Sequence, residues 1–239
     1  MTRRAVLAGL AGLTAMVASP ALAGPVEPYR RGKRLYADDF EHGLGQWALE
    51  TEKPAQVSAR DGVLDIDTPA GLTLWFRPEL AGPVMIEYEA QAVSAGGPND
   101  RVSDLNAFWM ARDTSEDSPL ARPRSGAFAD YDTLKTYYVG QGGNGNTSTR
   151  FRRYVGRPGD RPLLPQHDHA AADEMLVANR WRTVRLIADG GLIQYWSDGR
   201  KLFELRDAEP YTRGWFGLRT TQSHLRARRF RVYELTARA

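Results

Sequence analysis

Trp181-Arg-Thr-Val-Arg-Leu-Ile-Ala-Asp-Gly-Gly-Leu-Ile-Gln-Tyr-Trp-Ser-Asp-Gly-Arg-Lys-Leu-Phe203 decides the fold class. Residues 182–188, 192–197 and 201–206 are short runs of β-branched, aliphatic and aromatic side chains, too short for ordinary helices. The joints between them, Asp189-Gly190-Gly191 and Ser197-Asp198-Gly199, supply the positive φ that tight hairpin turns need. The stretch therefore reads as three antiparallel strands in succession.

Working outward, the same texture recurs at residues 35–40, 47–49, 56–59, 63–67, 72–76 and 84–93. It continues at 105–111, 134–139, 147–154, 214–219 and 227–235, with Arg60-Asp61-Gly62 as a further hairpin signal. Fourteen short runs and no long amphipathic helix predict an all-β, two-sheet antiparallel β-sandwich. Three long irregular stretches interrupt it, 94–104, 112–133 and 155–179, with a short helix expected within 170–177. Loops of this length in a compact domain usually carry function.

The chain has 239 residues, with 32 Lys+Arg, 29 Asp+Glu and no cysteine. Disulfides, thiolate metal sites and a cysteine nucleophile are therefore excluded. Residues 1–23 combine Arg3-Arg4, a small-residue apolar stretch and Ala-Leu-Ala before Gly24, which predicts a cleaved secretory signal of the twin-arginine (Tat) kind. The expected organisation is signal 1–23, linker 24–34 and one β-sandwich domain 35–239, exported to the periplasm or medium. Without the signal, 216 residues remain, with 30 Lys+Arg against 29 Asp+Glu. A net charge of +1 without long basic runs gives no nucleic-acid footprint. No stable membrane insertion is expected after cleavage, and the oligomeric state is unspecified.

The 181–203 pattern resembles the concanavalin A-like lectin/glucanase jelly rolls. Gly214-Trp-Phe-Gly-Leu-Arg with Phe230-Arg-Val-Tyr-Glu-Leu is similar to their last two strands, and Asp38-Asp39-Phe40-Glu41 with Trp47 to their opening. Asn106-Ala-Phe-Trp-Met-Ala and Tyr137-Tyr-Val-Gly-Gln-Gly-Gly-Asn-Gly-Asn resemble a bacterial Tat-exported family of unknown function in that superfamily. The resemblance implies a jelly roll and a polysaccharide or oligosaccharide partner. Its relatives include lyases, glucanases and sugar-binding modules, so fold alone does not choose the chemistry.

Alternation along residues 135–141 places Lys135, Tyr137, Val139 and Gln141 on one face. After the Gly/Asn turn containing Asn144, the return strand places Ser148, Arg150, Arg152 and Tyr154 together. Side by side, these strands predict a basic, aromatic platform suited to an acidic sugar. By analogy with lyases that cleave uronate polymers by β-elimination, Arg150 or Arg152 would neutralise the substrate carboxylate. Asn106 or Gln141 would assist, Tyr137 would act as base or acid, and Lys135, Asn144, Tyr154 and Arg219 would help bind. His167, His169 and His224 are the further base candidates, and a catalyst should place one of them beside the Arg150/Arg152 face.

The Glu-x-Asp-x-x-Glu of retaining jelly-roll glucanases does not occur. Its nearest counterpart, Glu87-Tyr88-Glu89, puts two carboxylates on one face, with a solvated outer surface as the simpler reading. The favoured expectation is lyase-type cleavage of a uronate-containing glycan. The alternatives are a non-catalytic glycan-binding module and a glycoside hydrolase using Glu87 or Glu89. No cofactor is expected and no metal site is assigned. A structural calcium would have only the acidic turn Asp38, Asp39 and Glu41 to draw on.

Overall fold

The computed structural model describes residues 29–237, so the expected signal peptide and the first residues of the linker lie outside the described residues. Eight strands lead: β1 (Tyr29–Asp38), β2 (Trp47–Thr51), β3 (Gln56–Arg60), β4 (Val63–Thr68), β5 (Leu72–Phe76), β6 (Leu80–Ala81), β7 (Val84–Ala92) and β8 (Leu105–Asp113). Eight follow: β9 (Leu134–Gly142), β10 (Ser148–Val155), β11 (Asp168–His169), β12 (Arg182–Asp189), β13 (Leu192–Ser197), β14 (Arg200–Arg206), β15 (Arg213–Thr220) and β16 (Ser223–Ala237). Every run read from the sequence is a strand, and the two-residue β6 and β11 are additions. Of the helix expected within 170–177, only a 3-10 turn at Ala172–Glu174 forms.

The strands build two antiparallel sheets. The back sheet has the order β14-β13-β12-β7-β16-β4-β3, with β1 paired to β16. The front sheet has the order β11-β10-β9-β8-β15-β5-β2, with β6 paired to β15. Between them lies the core predicted by alternation. Ile86, Tyr88, Leu186, Tyr195 and Val232 of the back sheet pack toward Trp109, Val139, Phe151 and Phe216 of the front sheet. Trp47, Phe76, Phe216 and Phe230 close one end as an aromatic cluster, with Phe230 about 5 Å from both Trp47 and Phe76.

Two expectations are revised. Residues 29–34, placed in the linker, belong to β1, where Arg31 faces Leu235 and Arg34 faces Tyr233. Their charged composition suits an edge strand that leaves alternate side chains in water. Glu87 and Glu89 lie on the outer face of the back sheet. Glu87 accepts hydrogen bonds from Arg31 and Arg185, and Glu89 from Arg228 and Arg229. Neither is near the front-sheet surface that carries Arg150 and Arg152.

Candidate functional site

Register fixes which side chains share the outer face of the front sheet. Arg150 pairs with Gly140, Gly140 with Asn106, Asn106 with Arg219, and Arg219 with Thr73. These partners form a polar row across five strands. One step along the strands runs an aromatic row: Arg152 opposite Tyr138, then Phe108, Gly217 and Trp75. Gly217 sits where an added Cβ would lie 2.8 Å from the Trp75 ring. Its missing side chain lets Trp75 stack flat on Phe108, with centroids 5.6 Å apart and an 18° tilt.

The long stretch 112–133 covers half of this face. Glu50 holds it down. Its Oε2 accepts from the Trp75 indole and the Tyr131 hydroxyl at 2.8 Å each, and its Oε1 accepts from the Arg124 amide at 2.9 Å. Arg124 in turn pairs with Asp113. The 3-10 turn Phe128–Tyr131 thereby becomes a wall, and the uncovered half of the face becomes a cleft.

The cleft measures about 340 Å3 and is lined by Arg101, Asp104, Asn106, Phe128, Tyr138, Gly140, Gly143, Asn144, Ser148, Arg150, Arg152 and Thr221. Arg150 grips Asp168 side-on, Nε to Oδ1 at 2.7 Å and Nη2 to Oδ2 at 3.2 Å. That contact holds the Asp168 carboxyl below its ordinary pKa. Arg152 donates to the Arg161 carbonyl. Among the described residues neither Arg152 nor Arg101 has a carboxylate partner. Asp104 is the carboxylate in the lining, and it accepts from Ser103 and from Thr221. Burial, with Tyr154 alongside, pushes the Tyr138 phenol well above the ordinary range, so it keeps its proton. Asn144, at positive φ in the left-handed turn after β9, donates to Ser148 Oγ.

The expected platform therefore divides. Arg150, Arg152, Asn106 and Asn144 line the cleft, and Tyr154 supports its floor by packing 5.5 Å from Tyr138. Arg219 belongs to the same face but is buried beneath Phe128 and Tyr131. Tyr137 and Gln141 point the other way, into the space between the sheets. The Tyr137 hydroxyl donates to Asp207 at 2.7 Å, and Gln141 accepts from the Tyr195 hydroxyl and donates to the Glu174 carbonyl. Lys135 lines a separate groove with Arg153, Arg157 and Tyr211.

The three histidines are also elsewhere. His167 packs edge-on against Phe151 and Phe203, and burial there lowers its pKa. His169 meets Glu174 at 2.7 Å and stacks near Phe203. His224 bridges Asp100 and Asp65 on the back-sheet side. Among the described residues no three His, Asp or Glu side chains converge to hold a metal ion. Asp38 is already engaged by the Phe40 amide and the Trp47 indole.

Tyr138, Arg101, Asp104 and Phe128 went unmarked by the sequence reading. For Tyr138 the signal was present: counting back across the 142–147 turn pairs it with Arg152, which fixes its face.

Two antiparallel sheets in this order, with the cleft on an outer sheet face, define a concanavalin A-like jelly roll. A Bacillus subtilis protein of unknown function with a galectin-like fold matches at TM-score 0.68 and 16% identity, over 88% of this chain and 100% of that one. Carbohydrate-binding module CBM66 from Bacillus subtilis matches at 0.54 and 10%, over 79% and 96%. β-Agarase B from Zobellia galactanivorans matches at 0.57 and 10%, over 93% and 99%. At these identities the likeness concerns the fold. A comparison with curated proteins finds no match. Residues 66–230 match the family described as a domain of unknown function, DUF6250, and the chain belongs to that family.

Proposed function

We propose that this is an exported carbohydrate-active protein that binds a uronate-containing glycan in the front-sheet cleft and cleaves it by β-elimination. One observation carries the reading: Arg101, Arg150 and Arg152 converge on a cleft floored by Tyr138, and two of the three lack a carboxylate partner among the described residues. Guanidinium forks suit carboxylates, and an aromatic floor suits the apolar face of a sugar ring. The kinship in fold with a carbohydrate-binding module and an agarase supports a glycan as the ligand.

In β-elimination the proton at C5 passes to a base and its electron pair forms the C4–C5 double bond. The C4–O bond breaks, and the departing glycosidic oxygen takes a proton. Arginines on the carboxylate stabilise the charge that develops there. Asp104, the carboxylate in the cleft lining, takes the C5 proton, the Tyr138 phenol gives its own proton to the leaving oxygen, and exchange with solvent then restores both groups. In this reading Tyr138 replaces the expected Tyr137, whose hydroxyl is committed to Asp207.

A second reading, binding without cleavage, draws on the Tyr138 phenol being held protonated by burial. A panel of uronate and neutral polysaccharides incubated with the mature protein separates the two. Ultraviolet-absorbing unsaturated ends from a uronate polymer, lost in Tyr138→Phe, support elimination. Retention of uronate polymer without such ends leaves the binding reading. Reducing ends released only from neutral polymers overturn both.

A further inference from the structure

Arg219 is 2% exposed, yet its guanidinium has no carboxylate partner among the described residues. Nη1 donates to Thr73 Oγ1 at 2.9 Å and to the Gly126 carbonyl at 3.1 Å. Nε and Nη2 have no hydrogen-bond partner among the described residues. These two nitrogens form one edge of the planar group, and Arg150 uses the same edge to grip Asp168 bidentately. A buried cation presenting an empty bidentate edge is costly unless something planar and anionic arrives to fill it.

The surroundings show where that partner comes from. Asn106, cross-strand neighbour of Arg219, lines the cleft and has its own Oδ1 unpartnered, at 2% exposure. Phe128 also lines the cleft, and its ring stands 4.8 Å from the Arg219 guanidinium and 4.3 Å from that of Arg161. The Tyr131 ring backs Arg219 at 4.4 Å. Of the nearby carboxylates, Glu50 serves Trp75, Tyr131 and Arg124, and Glu52 Oε2 accepts from the Gly71 amide on the Nη2 side of Arg219 without forming an ion pair with it. Phe128 thus separates the open cleft, which it lines, from the Arg219 guanidinium on which it packs, while Nη2 of Arg219 lies on the Gly71 side.

We propose that Arg219 and Asn106 form a closed carboxylate subsite at the inner end of the cleft, entered when the Phe128 ring swings off the guanidinium. The ligand is the carboxylate of a uronic acid residue. It lies across Nε and Nη2 of Arg219 and presents a neighbouring hydroxyl to Asn106 Oδ1. The inference rests on the acidic-glycan reading and adds to it a second anchoring point, remote from Arg150 and Arg152.

The test uses mature protein carrying 15Nε-labelled arginine, titrated with galacturonate, glucuronate, mannuronate and guluronate oligosaccharides. The Arg219 Nε–H resonance, assigned by its loss in Arg219→Lys, should be slow to exchange and should move on saturation. In Phe128→Ala, which removes the partition, it should respond at lower ligand concentration. A variant that fails to fold leaves the wild-type titration decisive, because resonances of cleft arginines are assigned independently through Arg150→Lys and Arg152→Lys. If Arg150 and Arg152 respond while Arg219 stays fixed, the subsite is overturned and the acidic-glycan reading stands. If no arginine responds to any of the four, both fail.

Discussion

Arg152 on β10 stands directly opposite Tyr138 on β9, and the pair faces outward across the floor of a cleft on the front sheet. Arg152 has no carboxylate partner among the described residues, and the Tyr138 ring beside it is buried, which leaves a cation over an aromatic floor in the cleft.

Arg152→Ala removes that cation without touching the core. Charge-assisted hydrogen bonds contribute about 1.5–3 kcal/mol, so affinity for the uronate ligand should fall roughly tenfold to a hundredfold. Thermal stability should change little, because Arg152 is partly exposed and, among the described residues, its side chain donates to the Arg161 carbonyl alone. Titration calorimetry beside a melting curve checks both. Unchanged affinity would remove Arg152 from the site.

Glu50 ties the 112–133 stretch to the sheet. Glu50→Ala leaves the Trp75 indole, the Tyr131 hydroxyl and the Arg124 amide without their acceptor. Leaving buried donors unmatched costs about 1–3 kcal/mol each, partly relieved by water, so a loss of about 3 kcal/mol is expected. Denaturant melts measure it, and faster amide exchange at residues 124–131 should accompany it. Wild-type stability in this variant would show that the wall is held by other contacts.

Asp113 gives the pH prediction. Burial disfavours its charge, but hydrogen bonds from Ser115 and Thr133 and the Arg124 guanidinium outweigh that and hold its pKa at about 2. A depressed folded pKa contributes stability that is complete above the unfolded value, about 3.9, and is lost as the pH falls toward 2. Asp113→Asn should therefore melt below wild type at neutral pH, and the gap should close between about pH 4 and pH 2. A gap independent of pH over that window would show that the carboxylate charge is not what matters.

Glu87→Gln and Glu89→Gln address the hydrolase alternative. Both carboxylates are held by arginines of their own back sheet, away from the front-sheet cleft, so neither change should alter glycan binding or product release beyond about twofold. A loss of activity of several orders of magnitude in either variant would move the chemistry to the back sheet.

The strands were legible because their interior faces alternate and their turns carry Asp-Gly or Gly-Asn at positive φ, as at Asp61, Asp198 and Asn144. Residues 30–34 were not, since Arg, Gly and Lys in an edge strand have the composition of a linker. The site was half legible. Arg150 and Arg152 announced a solvent face on β10, but on β9 both Tyr137 and Tyr138 are aromatic, and period two alone does not say which looks outward. Exposed Lys135 pointed to the wrong face, because it lies at the strand end where the core face itself reaches water. The cleft wall was beyond local pattern: Phe128 and Arg124 take their places through Glu50, more than seventy residues away in the chain.

The most direct measurement compares binding of one uronate polysaccharide with binding of the same polymer after its carboxyl groups have been reduced to primary alcohols. Chain length, linkage and ring shape stay constant, so the comparison isolates the carboxylate. A cleft built around Arg101, Arg150 and Arg152 predicts tight, salt-sensitive binding of the native polymer and loss of most of that affinity on reduction. Equal binding of both forms would contradict an acidic-glycan site.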